Sequence, residues 1–336
     1  MAKKNKKEKF LSASRIKTLD LCSWLYWVKY GLNLPDTTNS GALRGTLCHN
    51  IFEYLLKDKH KKHFKSILDK NSIEGSKAVV RYAHSYLRRC EIEKFGKETY
   101  EENYKLVDDM VVVGLKSDFF GKDDLIMGKN AHIETPEQSF EIKNKKPKYN
   151  IRGFIDKPIQ YKKDKVVRVV DYKSSKMKFK GEELQSNIQA MMYSLASYTL
   201  WPKLKPKIEF LFLRFPKQPW QVLEFSKDEL KGFEYYLEQV QEVIDNFDEE
   251  SGKTSFAIDG GYAKKWMCGP TKSGWECPYK KEFEYYALKN KDGDVVKSAF
   301  DKEDLNPSDE ETVEKSKYEG CPKFNQPKKD PFDLSS

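Results

Sequence analysis

The chain has 336 residues, 38% hydrophobic and 13% aromatic, enough apolar surface to offset chain entropy and to exclude a wholly disordered polymer. Lys and Arg number 61 against 52 Asp and Glu, a formal charge of +9. A polyanionic partner is the economical reading of that excess, with solvated lysine-rich surface as the alternative.

No run approaches 18 uninterrupted apolar residues, and the basic N-terminus leads into SASRIKTLD where a secretory signal needs an apolar stretch. A soluble, cytoplasmic protein with no membrane partner is therefore expected. In such a compartment the six cysteines, at 22, 48, 90, 268, 277 and 321, are not expected to form structural disulfides, and a subset is free to bind metal.

In chain order, residues 1–10 read as a disordered basic tail, since five of the ten are Lys and no apolar period is present. Residues 11–130 read as a helical N-terminal region. Apolar residues recur at helical intervals over 12–30 (Ile16, Leu19, Trp24, Trp27), 43–56 (Leu47, Ile51, Leu55) and 77–95.

Residues 131–250 read as the core, where β-branched runs appear. IRGFIDKPIQY and KVVRVVDYKSS flank the polar turn KKDK and predict a hairpin. A helix over 182–200 follows, then the strands KIEFLFLRF and QVLEFS, and Ser226 with Glu229 makes a capping box for a helix to about Phe247. The fold class is α/β (α+β), a central mixed sheet flanked by helices. Residues 251–336 hold three cysteines and little period, and predict an irregular segment packed on the core and needing a staple. There is no internal repeat and no Gly-rich phosphate loop.

The chemistry gathers on the predicted hairpin. Alternation along a strand puts Asp171 and Lys173 on one face with Tyr172 turned away, and pairing brings Asp156 to the same face. Two neighbouring carboxylates repel unless a hard cation sits between them, and Mg2+ or Mn2+ prefers oxygen ligands. Such an ion polarises a phosphate oxygen while Lys173 orients or deprotonates the attacking water, so phosphodiester hydrolysis fits the parts. A lone D-x-K is also a surface strand with a salt bridge. The ordered set is more specific: G-x-x-D, then D-x-K, then a helix carrying Gln189 and Tyr193 at i and i+4 on one face.

SASRIKTLDLCSWLYWVKYG, RGTLCHNIFEYL, RGFIDKP, VVDYKSS, IQAMMYSLASY and the C-terminal cysteines occur in an order that resembles the RecB-like branch of the PD-(D/E)XK nuclease superfamily. That branch includes AddB-type nuclease domains and the CRISPR-adaptation exonucleases. The resemblance implies a restriction-endonuclease-like core in which His49, Asp156 and Asp171 hold Mg2+ or Mn2+, with the Tyr172 carbonyl a further ligand. It implies that Lys173 positions the water, and that Gln189 and Tyr193 border the active site. Asp171 stands where the family often has Glu. His49, on an apolar helix, also suits a core or surface role, and Glu137 in PEQSF stands where some relatives carry an acid.

The same resemblance implies an iron-sulfur cluster, 4Fe-4S, on Cys22, Cys268, Cys277 and Cys321. About forty inserted residues between Cys277 and Cys321 depart from the family's compact trio, and four thiolates equally suit tetrahedral zinc or stand as unrelated buried thiols. Linking 22 to 268 closes a loop of 246 residues (268 minus 22), worth on the order of 5 kcal/mol of unfolded-chain entropy. A structural clasp is therefore expected. Cys48 and Cys90 read as core residues.

The function expected is a metal-dependent deoxyribonuclease, an exonuclease on single-stranded DNA or DNA ends. Its setting is recombination, repair or phage DNA processing in a bacterial or phage-infected cytoplasm, with a possible helicase or recombination partner. The alternative is a non-cleaving nucleic-acid-binding or structural iron-sulfur protein that serves a helicase.

Overall fold

The computed structural model describes residues 8–60, 62–117, 131–133, 135–271 and 275–325. Residues 1–7 of the expected tail, 118–130 of the helical region and 326–336 of the C-terminal segment lie outside the described residues. The helices that matter here are α1 (Ala13–Leu21), α2 (Ser23–Tyr26), α3 (Ser40–Leu56), α4 (Lys62–Lys70), α5 (Lys77–Arg89), α6 (Tyr100–Lys116), α7 (Ile188–Leu200) and α8 (Lys227–Asp245). The strands are β1 (Ala131–Ile133), β2 (Gln138–Lys145), β3 (Lys148–Ile155), β4 (Lys157–Tyr161), β5 (Val166–Lys173), β6 (Lys205–Phe212), β7 (Trp220–Leu223), β8 (Phe283–Lys289), β9 (Val295–Ala299) and β10 (Thr312–Tyr318). No helix among the described residues is long and apolar enough to cross a membrane.

The chain divides into two compact units, one of Phe10–Ala13 with Thr38–Gln239, the other mainly of Ser14–Thr37 with the chain from Val240 onward. The first contains the expected mixed sheet, in the order β1-β4-β5-β6-β7. Only β5 and β6 run parallel, joined by the α7 crossover, and the remaining pairs are antiparallel. VVRVVDYK and KPKIEFLF are buried over most of their length, as befits central strands covered on both faces. Leu47, Ile51 and Phe52 of α3 and Val107 and Val111 of α6 pack with Val170, Tyr172 and Leu211 of the sheet in one apolar cluster.

IRGFIDKPIQY, expected as one strand, is two. Lys148–Ile155 pairs with β2 in a separate two-stranded ribbon, whereas Lys157–Tyr161 pairs with β5 as the hairpin partner. The chain bends at Asp156, whose carboxylate accepts the Tyr172 N–H at 2.8 Å. Leu11, expected in the helical region, is extended instead: fully buried, it bridges to β3, donating to the Asn150 carbonyl at 2.8 Å and accepting from Arg152 N–H at 2.9 Å. The helix expected over 182–200 starts instead at Ile188, where the Asn187 side chain accepts the Ala190 N–H. The Ser226–Glu229 capping box at α8 is present, with Glu229 N–H donating to Ser226 Oγ at 3.2 Å.

In the second unit Trp24, Val28, Phe256, Tyr279 and Tyr318 form the core. The expected irregular segment in fact contains an antiparallel sheet, β10-β8-β9. Its charged residues hide the alternation, and they pair across strands, as in Lys315–Glu284 at 2.7 Å and Lys289–Glu314 at 2.5 Å.

Candidate active site and four-thiol cluster

Asp171 is 2% exposed near the end of β5, and the period of the strand turns Lys173 to the same side. Lys173 Nζ lies 2.5 Å from Asp171 Oδ2 and donates to Gln189 Oε1 at 2.9 Å. Asp171 Oδ1 accepts from Gln189 Nε2 at 2.8 Å and from the Tyr193 hydroxyl at 3.0 Å. Gln189 and Tyr193, one turn apart on α7, therefore grip one carboxylate oxygen. The other, Oδ2, is buried and paired with the Lys173 ammonium.

Asp156 Oδ2 faces His49 Nδ1 at 3.4 Å, and Glu137 Oε1 stands 3.9 Å from the same nitrogen. His49 Nε2 lies 3.0 Å from the Tyr172 carbonyl. One ligand atom from each of His49, Glu137 and Asp156 falls within 4.8 Å of the other two. α3 comes close to the end of β5 at Gly45, one turn before His49: a Cβ there would lie 2.6 Å from Ser174 Oγ, which would have to change rotamer.

Burial disfavours a charge on His49, but the Glu137, Asp156 and Asp171 carboxylates and the Tyr172 carbonyl outweigh it and push its pKa up to about 9. Burial, with the neighbouring Asp171 charge, raises Asp156 to about 7. Two carboxylates and one imidazole with ligand atoms within 4.8 Å of one another, one of the carboxylates driven to protonate, are a donor set that fits a hard divalent cation.

His49, Asp156, Asp171, Tyr172, Lys173, Gln189 and Tyr193 thus meet in one neighbourhood, but with unequal roles in the geometry. Asp171 faces Lys173 and α7 and is outside the His49–Glu137–Asp156 trio. Glu137, noted in the sequence only as standing where some relatives carry an acid, is inside it. The missing signal was β2: once QSFEIKNK is drawn as a strand, Glu137 falls opposite Asp156, whose carbonyl accepts its N–H at 3.0 Å.

Cys22, Cys268, Cys277 and Cys321 line one apolar cavity with Trp24, Phe256 and Met267. Burial pushes the Cys277 and Cys321 thiols up to about 11, and the Cys268 thiol is raised as well. Trp24 Nε1 donates to the Tyr318 hydroxyl at 2.8 Å, which donates to the Tyr279 carbonyl at 3.0 Å and ties the N-terminal helix to the cysteine segment. Gly269 has a φ of +60° and sits where a Cβ would meet the Trp275 carbonyl at 2.2 Å, so the turn after Cys268 demands glycine. Cys48 is buried in the core of the first unit and Cys90 packs against it.

The model of the PD-(D/E)XK nuclease superfamily matches residues 10–281 of the chain. No curated protein matches it.

Proposed function

The chain belongs to the PD-(D/E)XK nuclease superfamily, phosphodiester hydrolases that use divalent metals such as Mg2+ or Mn2+, and on that premise we propose a deoxyribonuclease that degrades single-stranded DNA or DNA ends as an exonuclease. Recombination, repair or phage DNA processing is its setting, with a helicase or recombination protein as partner. The observation that carries this reading is the closeness of Asp156, Asp171 and Lys173, with Asp156 2.8 Å from the Tyr172 N–H, Asp171 among the charges that act on it, and Lys173 2.5 Å from Asp171.

His49, Glu137 and Asp156 would hold the cation, with Asp171 Oδ2 and the Tyr172 carbonyl beside them. A divalent ion there neutralises the clustered carboxylates and polarises a phosphoryl oxygen. The remaining work falls to side chains. Gln189 and Tyr193 fix the rotamer of Asp171, and the Tyr172 N–H fixes Asp156. Lys173, steadied by Gln189 Oε1, orients the attacking water and offsets charge as it develops on the phosphate. The water oxygen bonds to phosphorus as the bond to the leaving sugar oxygen breaks.

The four thiols hold an iron-sulfur cluster, 4Fe-4S, as a structural clasp. Tetrahedral zinc, with Zn–S near 2.3 Å, draws its thiolates to about 3.8 Å of one another. The clustering of four cysteines about one apolar cavity supports a thiolate-held centre, and its colour and metal content separate a cluster from zinc. A labelled DNA strand incubated with Mg2+ or Mn2+ tests the enzyme, with Asp171→Ala as its control. Iron and sulfide analysis with a visible spectrum, on anaerobically purified protein, tests the clasp. Cleavage unchanged in Asp171→Ala, or a colourless protein carrying zinc, sinks the respective reading.

A further inference from the structure

One face of the β2–β3 ribbon is exposed, and it starts at the carboxylates. The pairing that sets Glu137 against Asp156 continues with Ser139 opposite Phe154, Glu141 opposite Arg152, Lys143 opposite Asn150 and Lys145 opposite Lys148. Alternation places the four pairs within the strands on a common face, and the ribbon ends at Glu137 and Asp156. Burial follows the same rule: Phe154, Arg152, Lys143, Lys145 and Lys148 are exposed, while the intervening Phe140, Tyr149 and Ile151 are buried.

Phe154 is 61% exposed, two residues before Asp156. A single exposed apolar side chain is ordinary on a protein surface. This one differs in its setting, between the carboxylate pair on one side and a run of cations on the other. The guanidinium of Arg152 and the ammonium of Lys143 lie 5.8 Å and 5.6 Å from the Phe10 ring centroid, which adds a second aromatic beside the run. Glu141 is the only acid in the pairs beyond Glu137 and Asp156. Successive pairs on the face recur every two residues, about 6.8 Å, the scale of one nucleotide step in an extended strand.

We propose that this face is a track for the unpaired strand of a DNA substrate, with Phe154 stacking on a base next to the scissile phosphate and Arg152, Lys143 and Lys145 meeting phosphates beyond it. The inference rests on the nuclease reading and narrows it. A base inside a duplex has both faces covered by its neighbours, so an aromatic platform selects single-stranded DNA or a frayed end. The adjoining cations follow the backbone without reading sequence.

The test measures fluorescence anisotropy of a short labelled single-stranded DNA, its blunt duplex, and the same strand with abasic sites, all in EDTA. Cleavage is assayed separately in Mg2+. Wild type binds the single strand more tightly than the duplex, and Phe154→Ala weakens single-strand binding about 5- to 100-fold. Phe154→Trp restores it. Abasic sites cost wild type the same factor and cost Phe154→Ala nothing more. Arg152→Gln lowers the slope of log K against log salt by about 0.7.

If Phe154→Ala binds like wild type while Asp171→Ala abolishes cleavage, the track is wrong and the nuclease reading survives. If binding behaves as described but wild type cleaves in no divalent metal, the track survives and the nuclease reading falls. Failure of wild type to bind single-stranded DNA, or dissolution of a wild-type dimer by Phe154→Ala, overturns the track.

Discussion

His49 Nε2 sits 3.0 Å from the carbonyl oxygen of Tyr172, so one imidazole ties helix α3 to the strand that carries Asp171 and Lys173. Its other nitrogen is left facing Asp156 and Glu137 at 3.4 and 3.9 Å. A ring held by its far nitrogen has a set orientation, which is how second partners tune metal-binding histidines.

That contact needs α3 close to the end of β5, where Gly45 faces Ser174 Oγ. Gly45→Ala meets the Ser174 hydroxyl, a group that can move, so it should lower kcat/KM for DNA cleavage by about two- to tenfold through a small displacement of His49. Adding Ser174→Ala, which removes the hydroxyl in the way, should recover most of the loss. Full activity in Gly45→Ala alone rules out this account of the helix position.

Asp171→Ala and Lys173→Ala should each reduce cleavage on the order of 10³-fold while leaving the fold intact. Tyr193→Phe should be milder, about 1 kcal/mol by chemical denaturation, because Gln189 still donates to Asp171 Oδ1. Gln189 and Tyr193 share one acceptor and bond each other at 2.8 Å, so their double variant should depart from additivity. Strictly additive rates and stabilities would count against a joint grip on Asp171.

Both His49 and Asp156 have raised pKa values, so the metal-free folded protein binds protons there more tightly than the unfolded chain does. The stabilisation is fully present below the unfolded values of 6.5 for His49 and 3.8 for Asp156, and is lost as pH climbs through about 9 and about 7 respectively. The Tm of protein kept in EDTA should therefore fall as pH rises from about 4 to about 9, through Asp156 up to about pH 7 and through His49 from about 6.5 to about 9. A cation that displaces these protons should bind more tightly over the same window, with proton release measurable by calorimetry in buffers of different ionisation enthalpy. A Mn2+ affinity flat across that range would refute it.

Cys22 caps α2, its sulfur accepting the Leu25 N–H at 3.4 Å. Serine can make the same cap, so Cys22→Ser preserves the local hydrogen bond and removes a thiolate. If the four thiols hold a structural metal centre, the variant should purify with less metal and melt at a clearly lower temperature. Equal metal content and equal Tm would end the clasp.

Short-range geometry was legible from residue order. The period of two along VVDYKSS predicts that Asp171 and Lys173 share a side, the turn KKDK predicts the β4–β5 hairpin, and the spacing of four between Gln189 and Tyr193 predicts one helical face; all three are found. Each is a repeat of the backbone itself, which every sequence window carries.

The bend at Asp156, the entry of Glu137 beside His49, the exposure of Phe154 and the C-terminal sheet came only with tertiary structure. Periodicity says which way a side chain points, but not which distant segment stands in front of it. His49 and Glu137 are 88 positions apart (137 minus 49), and what brings them together is the burial of α3 against the sheet, a packing choice made by the whole core at once.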